Sequence, residues 1–440
     1  MTLTVINPAT EEPIAELERA GVEETDEAVA RARQAFPTWS AVAPADRARL
    51  LRRLATLVEE SAEELARIES ENVGKPIAGA RGEIGMVAQV FHFYAGAVDK
   101  HGGETIPVAG GVAATFREPL GVVGLIVPWN FPANIASWKL GPALACGNTV
   151  VLKPAELTPL SALRLGELEN DLVGKGSVVG QRLIEHPDVA KIAFTGSTEV
   201  GRLVMQGAAG TIKRVTLELG GKSANVIFED ADIEKAAAAA PYSVFDNAGQ
   251  DCCARSRILV QKSVYDRFLD LFVDATRGVR VGDPADDATE MGPLVSAAHR
   301  ETVSSFVDDE PTFRGDVPDG PGYWYPCTIV EASNDDRIAR EEVFGPVAAV
   351  IPFEDEADAI RLSNDTPYGL SGSIWTRDGA RALRVARATD AGVLSVNANT
   401  SVRVQTPFGG FKQSGFGREL GMHALEGYSE IKSVFISTEG

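Results

Sequence analysis

The 440-residue chain contains no run of about eighteen apolar residues, which excludes a membrane-spanning helix. Its first residues, MTLTVINPATEEP, lack both a basic flank and an apolar core. No signal peptide is therefore expected, and a cytoplasmic location is. Basic residues are in deficit, 42 Lys and Arg against 62 Asp and Glu, for a net charge of −20. A phosphate backbone is bound through clustered cations, so nucleic acid is not an expected partner. Cysteine is scarce: Cys146, Cys252, Cys253 and Cys327 are too few for a disulfide framework at this length. Histidine is equally thin, and His92, His101, His186, His299 and His423 show no ligand spacing. The adjacent Cys252 and Cys253 lack the spacer of a chelating turn, so no metal site is expected, and a disulfide between neighbours is strained. That pair is left as either buried core or a nucleophile with a bystander.

What is present is apolar sequence in short, punctuated runs. With 44% hydrophobic residues the chain can bury large cores, enough for two or three domains. The first third reads as helical: Thr25 precedes two acids as a candidate cap, and DRARLLRRLATLVEE places Leu50, Leu51, Leu54, Leu57 and Val58 on one face. GETIPVAGGVAATFREP predicts a hairpin about Gly110 and Gly111. From Val122 onward, VVGLIVP, NTVVLKP, KIAFTG and RVTLELGG alternate with helical sequence, and a second series follows from SRILVQ to VLSVNAN. This rhythm predicts an α/β fold of two doubly wound domains dividing near Gly220, with the hairpin as a smaller element. The run Ala236 to Ala240 reads as a tightly packed helix. Two stretches break the rhythm. In LGELENDLVGKGSVVG only Leu172 and Val173 are available where another strand is needed, and we expect that residues are missing there. The helix ETVSSFV likewise runs into DDEPTFRGD with little room to turn.

Four segments carry candidate chemistry. FTGSTEVG ends a strand, turns at Gly196 and starts a helix at Ser197, which is either a plain cap or a phosphate site. LKPAELTP sets Lys153 and Glu156 past a strand end, as a surface ion pair or as ribose ligands. PWNFP holds Asn130 between prolines, either satisfying a turn or offering a fixed amide donor to an oxyanion. LELGGKS ends a strand on Glu218, a paired structural charge or a general base.

Together PWNFP, KPAE, FTGSTEVG, LELGGKS, NAGQDC, EEVFGPV and PFGGFKQSG resemble the NAD(P)-dependent aldehyde dehydrogenase superfamily, in its order and over nearly the whole chain. The resemblance implies Cys252 as nucleophile, Glu218 as the base that activates water, and Asn130 with the Cys252 N–H as the oxyanion hole. It implies NAD as cofactor, with Lys153 and Glu156 at the adenosine ribose and Trp129, Gly196 and Ser197 at the pyrophosphate. Gly220, Glu342 and Phe344 belong to the nicotinamide side. It also implies a cofactor-binding domain of residues 1–100 and 120–220 with 414–432 packing back on it. A catalytic domain of 221–413 follows, and 101–119 with 433–440 form an oligomerisation element of a homodimer or homotetramer.

Within that family, coenzyme A-acylating members lack the base at Glu218, so its presence favours hydrolysis. A catalytically silent member is the remaining alternative. Glu156 should accept from both ribose hydroxyls and repel a 2′-phosphate, favouring NAD over NADP. Phe131, Trp138 and Phe408 are implied to line the substrate tunnel, which suits alkyl chains or a cationic amine. Asp251, beside the nucleophile, tips the reading toward an aminoaldehyde, and NAGQDC resembles some aminobutyraldehyde dehydrogenases.

Overall fold

The computed structural model describes residues 2–166, 174–307, 310–400 and 402–439. Two parallel sheets dominate them. A five-stranded sheet runs Gly415–Phe416, Arg214–Glu218, Val189–Thr195, Val122–Ile126, Thr149–Lys153, parallel except for the short first strand. Val122–Ile126 and Thr149–Lys153 are buried at every residue, as expected of strands covered on both faces by helices. A seven-stranded sheet runs Phe313–Arg314, Thr328–Glu331, Val347–Phe353, Arg257–Gln261, Ala224–Ile227, Ser371–Trp375, Val393–Val396, again parallel except at its first strand.

The chain crosses from one sheet to the other through Leu219–Ser223, between Arg214–Glu218 and Ala224–Ile227. The carboxyl ends of the first sheet's strands therefore face the amino ends of the second's. Ligands of open α/β sheets collect at such strand ends. A separate antiparallel sheet joins Ser429–Ser437, Gly111–Pro119 and Thr105–Val108, and contains the hairpin foreseen at Gly110. The alanine run lies in the helix Ile233–Phe245, where Ala236, Ala237 and Ala240 are buried.

Several local expectations are corrected. The first helix is Val22–Ser40, capped at Gly21, whose N–H donates to the Glu24 carboxylate; Thr25 sits buried inside it and its hydroxyl donates to the Gly21 carbonyl. The capping box took the position because Glu24 can reach back and Thr25 cannot. In Pro44–Glu60, Leu50 is exposed while Leu51, Ala55 and Val58 are buried, because the helix packs against Ile77–Ala97 through a narrower stripe. The chain also opens with an antiparallel pair, Thr2–Ile6 and Pro13–Glu18, where only helix was foreseen. Leu172 and Val173 lie outside the described residues. ETVSSFV forms the end of Ala297–Ser304, and the next strand is only Phe313–Arg314.

Candidate active site

Cys252 sits in the turn between Ile233–Phe245 and Arg257–Gln261, at the seam of the two sheets. Three successive residues before it, Asn247, Ala248 and Gly249, hold φ of 49°, 55° and 68°. Left-handed backbone at a non-glycine residue is costly and persists where surrounding bonds over-determine it. Gln250, fully buried, supplies them: its Oε1 accepts from Val295 N–H at 2.9 Å, its Nε2 donates to the Asn247 carbonyl at 3.0 Å, and its own carbonyl accepts from Asn130 Nδ2 at 2.9 Å. Asn247 Nδ2 donates in turn to the Asn130 carbonyl at 3.1 Å. PWNFP and NAGQDC are thereby locked together. One Asn130 Nδ2 hydrogen is spent on Gln250 and the second remains for another acceptor. The Cys252 N–H has no acceptor among the described residues.

The two glycines of LELGGKS explain themselves in this seam. A Cβ on Gly221 would stand 2.4 Å from the Cys252 carbonyl oxygen, and one on Gly220 would stand 2.1 Å from Glu342 Oε2. Glu342 Oε1 accepts from the Gly221 N–H at 2.8 Å, and burial pushes its carboxyl up to about 7. Glu218 is 3% exposed, and neither carboxylate oxygen has a partner among the described residues. Burial, then the neighbouring Glu419, hold its carboxyl well above the ordinary range. Behind it Lys139 and Glu419 form a fully buried ion pair that the sequence reading missed.

The cofactor candidates cluster at the strand ends of the five-stranded sheet. Ser197 caps Thr198–Ala209, its Oγ accepting from Val200 N–H at 3.3 Å, and it is exposed, so the first-turn N–H groups face open space. A Cβ on Gly196 would strike the Phe194 ring at 2.5 Å. Lys153 is buried with its ammonium on the Pro154 carbonyl at 2.8 Å, and Glu156 is half-buried nearby in sequence. Trp129 packs edge-on against Phe344 and against His299, each at 5.3 Å. His299 Nε2 lies 2.8 Å from the carbonyl of Phe344, whose φ is 56°. His299 was passed over in the sequence because a lone histidine carries no spacing signal.

Phe131, Trp138, Asp251 and Phe408 line one cavity of about 500 Å³, with Cys252 and Cys253 at its wall. Trp138 and Phe408 meet edge-on at 5.1 Å. Asp251 accepts the Cys253 N–H at 2.9 Å, and burial raises its carboxyl. Asp246, five residues before Asp251, lines the same cavity, and Glu83 joins it from a distant part of the chain, which sequence spacing could not reveal. Hydrogen bonding to Cys253, then burial, hold the Cys252 thiol well above its usual range, so attack requires a proton acceptor.

A thiol on the wall of a cavity open to solvent, beside a buried carboxyl and strand ends suited to a dinucleotide, defines an α/β oxidoreductase. The model of the aldehyde dehydrogenase family matches residues 1–434. The betaine aldehyde dehydrogenase of Bacillus subtilis is 41% identical over 461 aligned positions, covering 99% of this chain and 94% of the relative. More aligned positions than the chain has residues means that the relative carries segments this chain lacks. The NADP/NAD-dependent aldehyde dehydrogenase PuuC of Escherichia coli is 41% identical, covering 100% and 93%. The structure of a Staphylococcus aureus betaine aldehyde dehydrogenase in complex with NAD⁺ superposes with a TM-score of 0.97 at 38% identity, covering 100% and 92%. The chain belongs to the aldehyde dehydrogenase family. It is an NAD-dependent oxidoreductase that oxidises an aldehyde.

Proposed function

We propose that the aldehyde is oxidised to its carboxylic acid through covalent chemistry on Cys252. The carrying observation is that this thiol, with an open backbone N–H, lines the cavity of Phe131, Trp138 and Phe408 two residues past the Gln250 carbonyl to which the Asn130 amide is bonded. An aldehyde has no leaving group, so hydride can depart only after a nucleophile makes the carbon tetrahedral. The Cys252 thiol gives its proton to water in the cavity as its sulfur adds to the carbonyl carbon, and the oxyanion is held by the Cys252 N–H and the free hydrogen of Asn130 Nδ2. NAD, when bound, accepts the hydride. Glu218 then deprotonates the water that cleaves the thioester on Cys252.

The residues suit a dinucleotide. The exposed helix start at Ser197 offers N–H groups to a pyrophosphate, and Gly220 keeps the approach to Glu342 clear where any side chain would fill it. Lys153 and Glu156 would hold the adenosine ribose, and Glu156 disfavours a 2′-phosphate. Trp129, Phe344 and Glu342 would frame the remainder.

The substrate we infer is a cationic aldehyde, of the aminoaldehyde or quaternary-ammonium type. Asp246 and Asp251 line the cavity with Arg255, while Glu83, which also lines it, is paired with the buried Lys75, whose ammonium lies over the Phe131 ring; the Trp138 and Phe408 rings remain to suit an ammonium group. The relatives named for betaine aldehyde support that reading. We place the domain boundaries where the sequence reading puts them, and the enzyme in the cytoplasm, where its four free thiols stay reduced. The three-stranded sheet exposes apolar residues on both faces, Ile431 and Phe435 on one and Val434, Ile436 and Phe116 on the other, and a second copy pairs against this sheet.

NADH formation across a panel of neutral and cationic aldehydes tests this, with Cys252→Ala and Cys253→Ala as probes. We expect the highest kcat/KM for cationic aldehydes, no turnover for Cys252→Ala and near-normal turnover for Cys253→Ala. Release of acyl-coenzyme A instead of free acid, or the reverse behaviour of the two cysteines, overturns the assignment.

A further inference from the structure

The cysteine pair lacks the spacing of a chelating turn, yet the fold assembles a different arrangement from it. One carboxylate oxygen of Asp251 and the sulfurs of Cys252 and Cys253 all lie within 4.8 Å of one another. We propose that Asp251, Cys252 and Cys253 form a binding site for a thiophilic divalent cation of the zinc and cadmium type, and that occupancy reversibly switches the enzyme off.

Geometry carries this first. Two sulfurs bound tetrahedrally to one zinc ion at about 2.3 Å lie about 3.8 Å apart. Donors already within 4.8 Å therefore close onto an ion through side-chain movements of about 1 Å. The Asp251 carboxylate is pinned by the Cys253 N–H at 2.9 Å, which holds one ligand in place while the two thiols adjust. Cys253 is itself anchored, because its carbonyl accepts from Arg255 Nη1 at 2.9 Å.

Access and charge agree. All three residues line the cavity of about 500 Å³, which leaves a fourth coordination position to water. Asp246 lines the same space opposite Arg255 and Glu83 is paired with the buried Lys75, so the charge that meets a dication is that of Asp251 and the two thiolates. Binding breaks two S–H bonds and forms two metal–sulfur bonds; two protons pass to solvent and nothing is oxidised. The sulfur of Cys252 is then no longer available to an aldehyde. This inhibitory consequence rests on the reading of Cys252 as nucleophile, whereas the binding itself does not.

The test uses the full-length enzyme with zinc chloride or cadmium chloride as the probe. In NADH assays, zinc should inhibit the wild type and a chelator should restore it. Measured against its own zinc-free rate, Cys253→Ala should need about ten-fold or more zinc than the wild type for half-inhibition. Cys253→Ser provides a second variant that keeps the side-chain volume. Without substrate, cadmium should produce a thiolate charge-transfer band in the ultraviolet at one equivalent. That band should be about halved in Cys252→Ala and in Cys253→Ala, and Asp251→Asn should require more cadmium to reach it. Equal zinc sensitivity in wild type and both Cys253 variants overturns the proposal, as does an undiminished cadmium band in Cys253→Ala. An enzyme that oxidises no aldehyde refutes the proposed function instead, and the cadmium titration still decides the site.

Discussion

Replacing Gly221 by alanine should disable the enzyme without unfolding it. The added Cβ would stand 2.4 Å from the Cys252 carbonyl oxygen, where ordinary contact begins near 3.4 Å, so the backbone carrying the nucleophile must retreat by about 1 Å. Leu370 Cβ, at 3.4 Å from the same point, blocks much of the alternative movement of the Gly221 side. A misplacement of about 1 Å in a reacting group costs about 100-fold in rate, or about 2.7 kcal/mol of barrier. The assay is kcat from NADH formation at saturating NAD and aldehyde, with thermal denaturation run alongside to show that the chain is folded. Gly220→Ala is the matched control. Its Cβ meets the end of the Glu342 side chain at 2.1 Å rather than backbone, so Glu342 can swing aside. That variant should raise KM for NAD more than it lowers kcat. Gly221→Ala retaining kcat within about two-fold would refute the claim that this glycine sets the position of Cys252.

Glu218→Gln should still release a burst of NADH and then hydrolyse slowly; absence of the burst would mean that Glu218 acts before hydride transfer. The wild-type hydrolysis rate should climb as pH rises, because burial and Glu419 keep the Glu218 carboxyl protonated well above its ordinary range and only its ionised form can accept a proton. Lys139 and, more weakly, Arg418 oppose that shift, while Cys253 adds to it. The pH limb should vanish in Glu218→Gln, and its survival there would assign it to another group. Lys139→Met should cost about 3–5 kcal/mol in denaturant unfolding, since it strands the buried carboxylate of Glu419, and adding Glu419→Leu should recover most of it. An unchanged midpoint in the single variant would show that Glu419 is already neutral.

The parts of this protein that were legible beforehand were those written in consecutive residues. Apolar runs ended by glycine or proline, such as GLIVP and VVLKP, became fully buried strands, because a strand buried on both faces needs nothing but its own composition to declare itself. Ser197 could be read as a helix start for the same local reason: its hydroxyl caps an N–H only three residues away. Thr25 and Leu50 were misplaced where two local solutions competed. Glu24 reached the cap first, and Ala55, rather than Leu50, met the neighbouring helix.

Sequence by itself determined the α/β architecture, the order of the motifs and the local stretch that carries the Cys252 thiol. Only tertiary structure decided what surrounds that thiol. Gln250 bonds Val295, 45 residues away, and Asn130 bonds Gln250 across 120 residues. Glu83, Asp246 and Asp251 meet in one cavity, and Lys139 finds Glu419 across 280 residues. Such pairings follow from how two sheets are set strand end to strand end, which no periodicity records, because side-chain spacing along a strand or helix specifies a face and not what that face will meet.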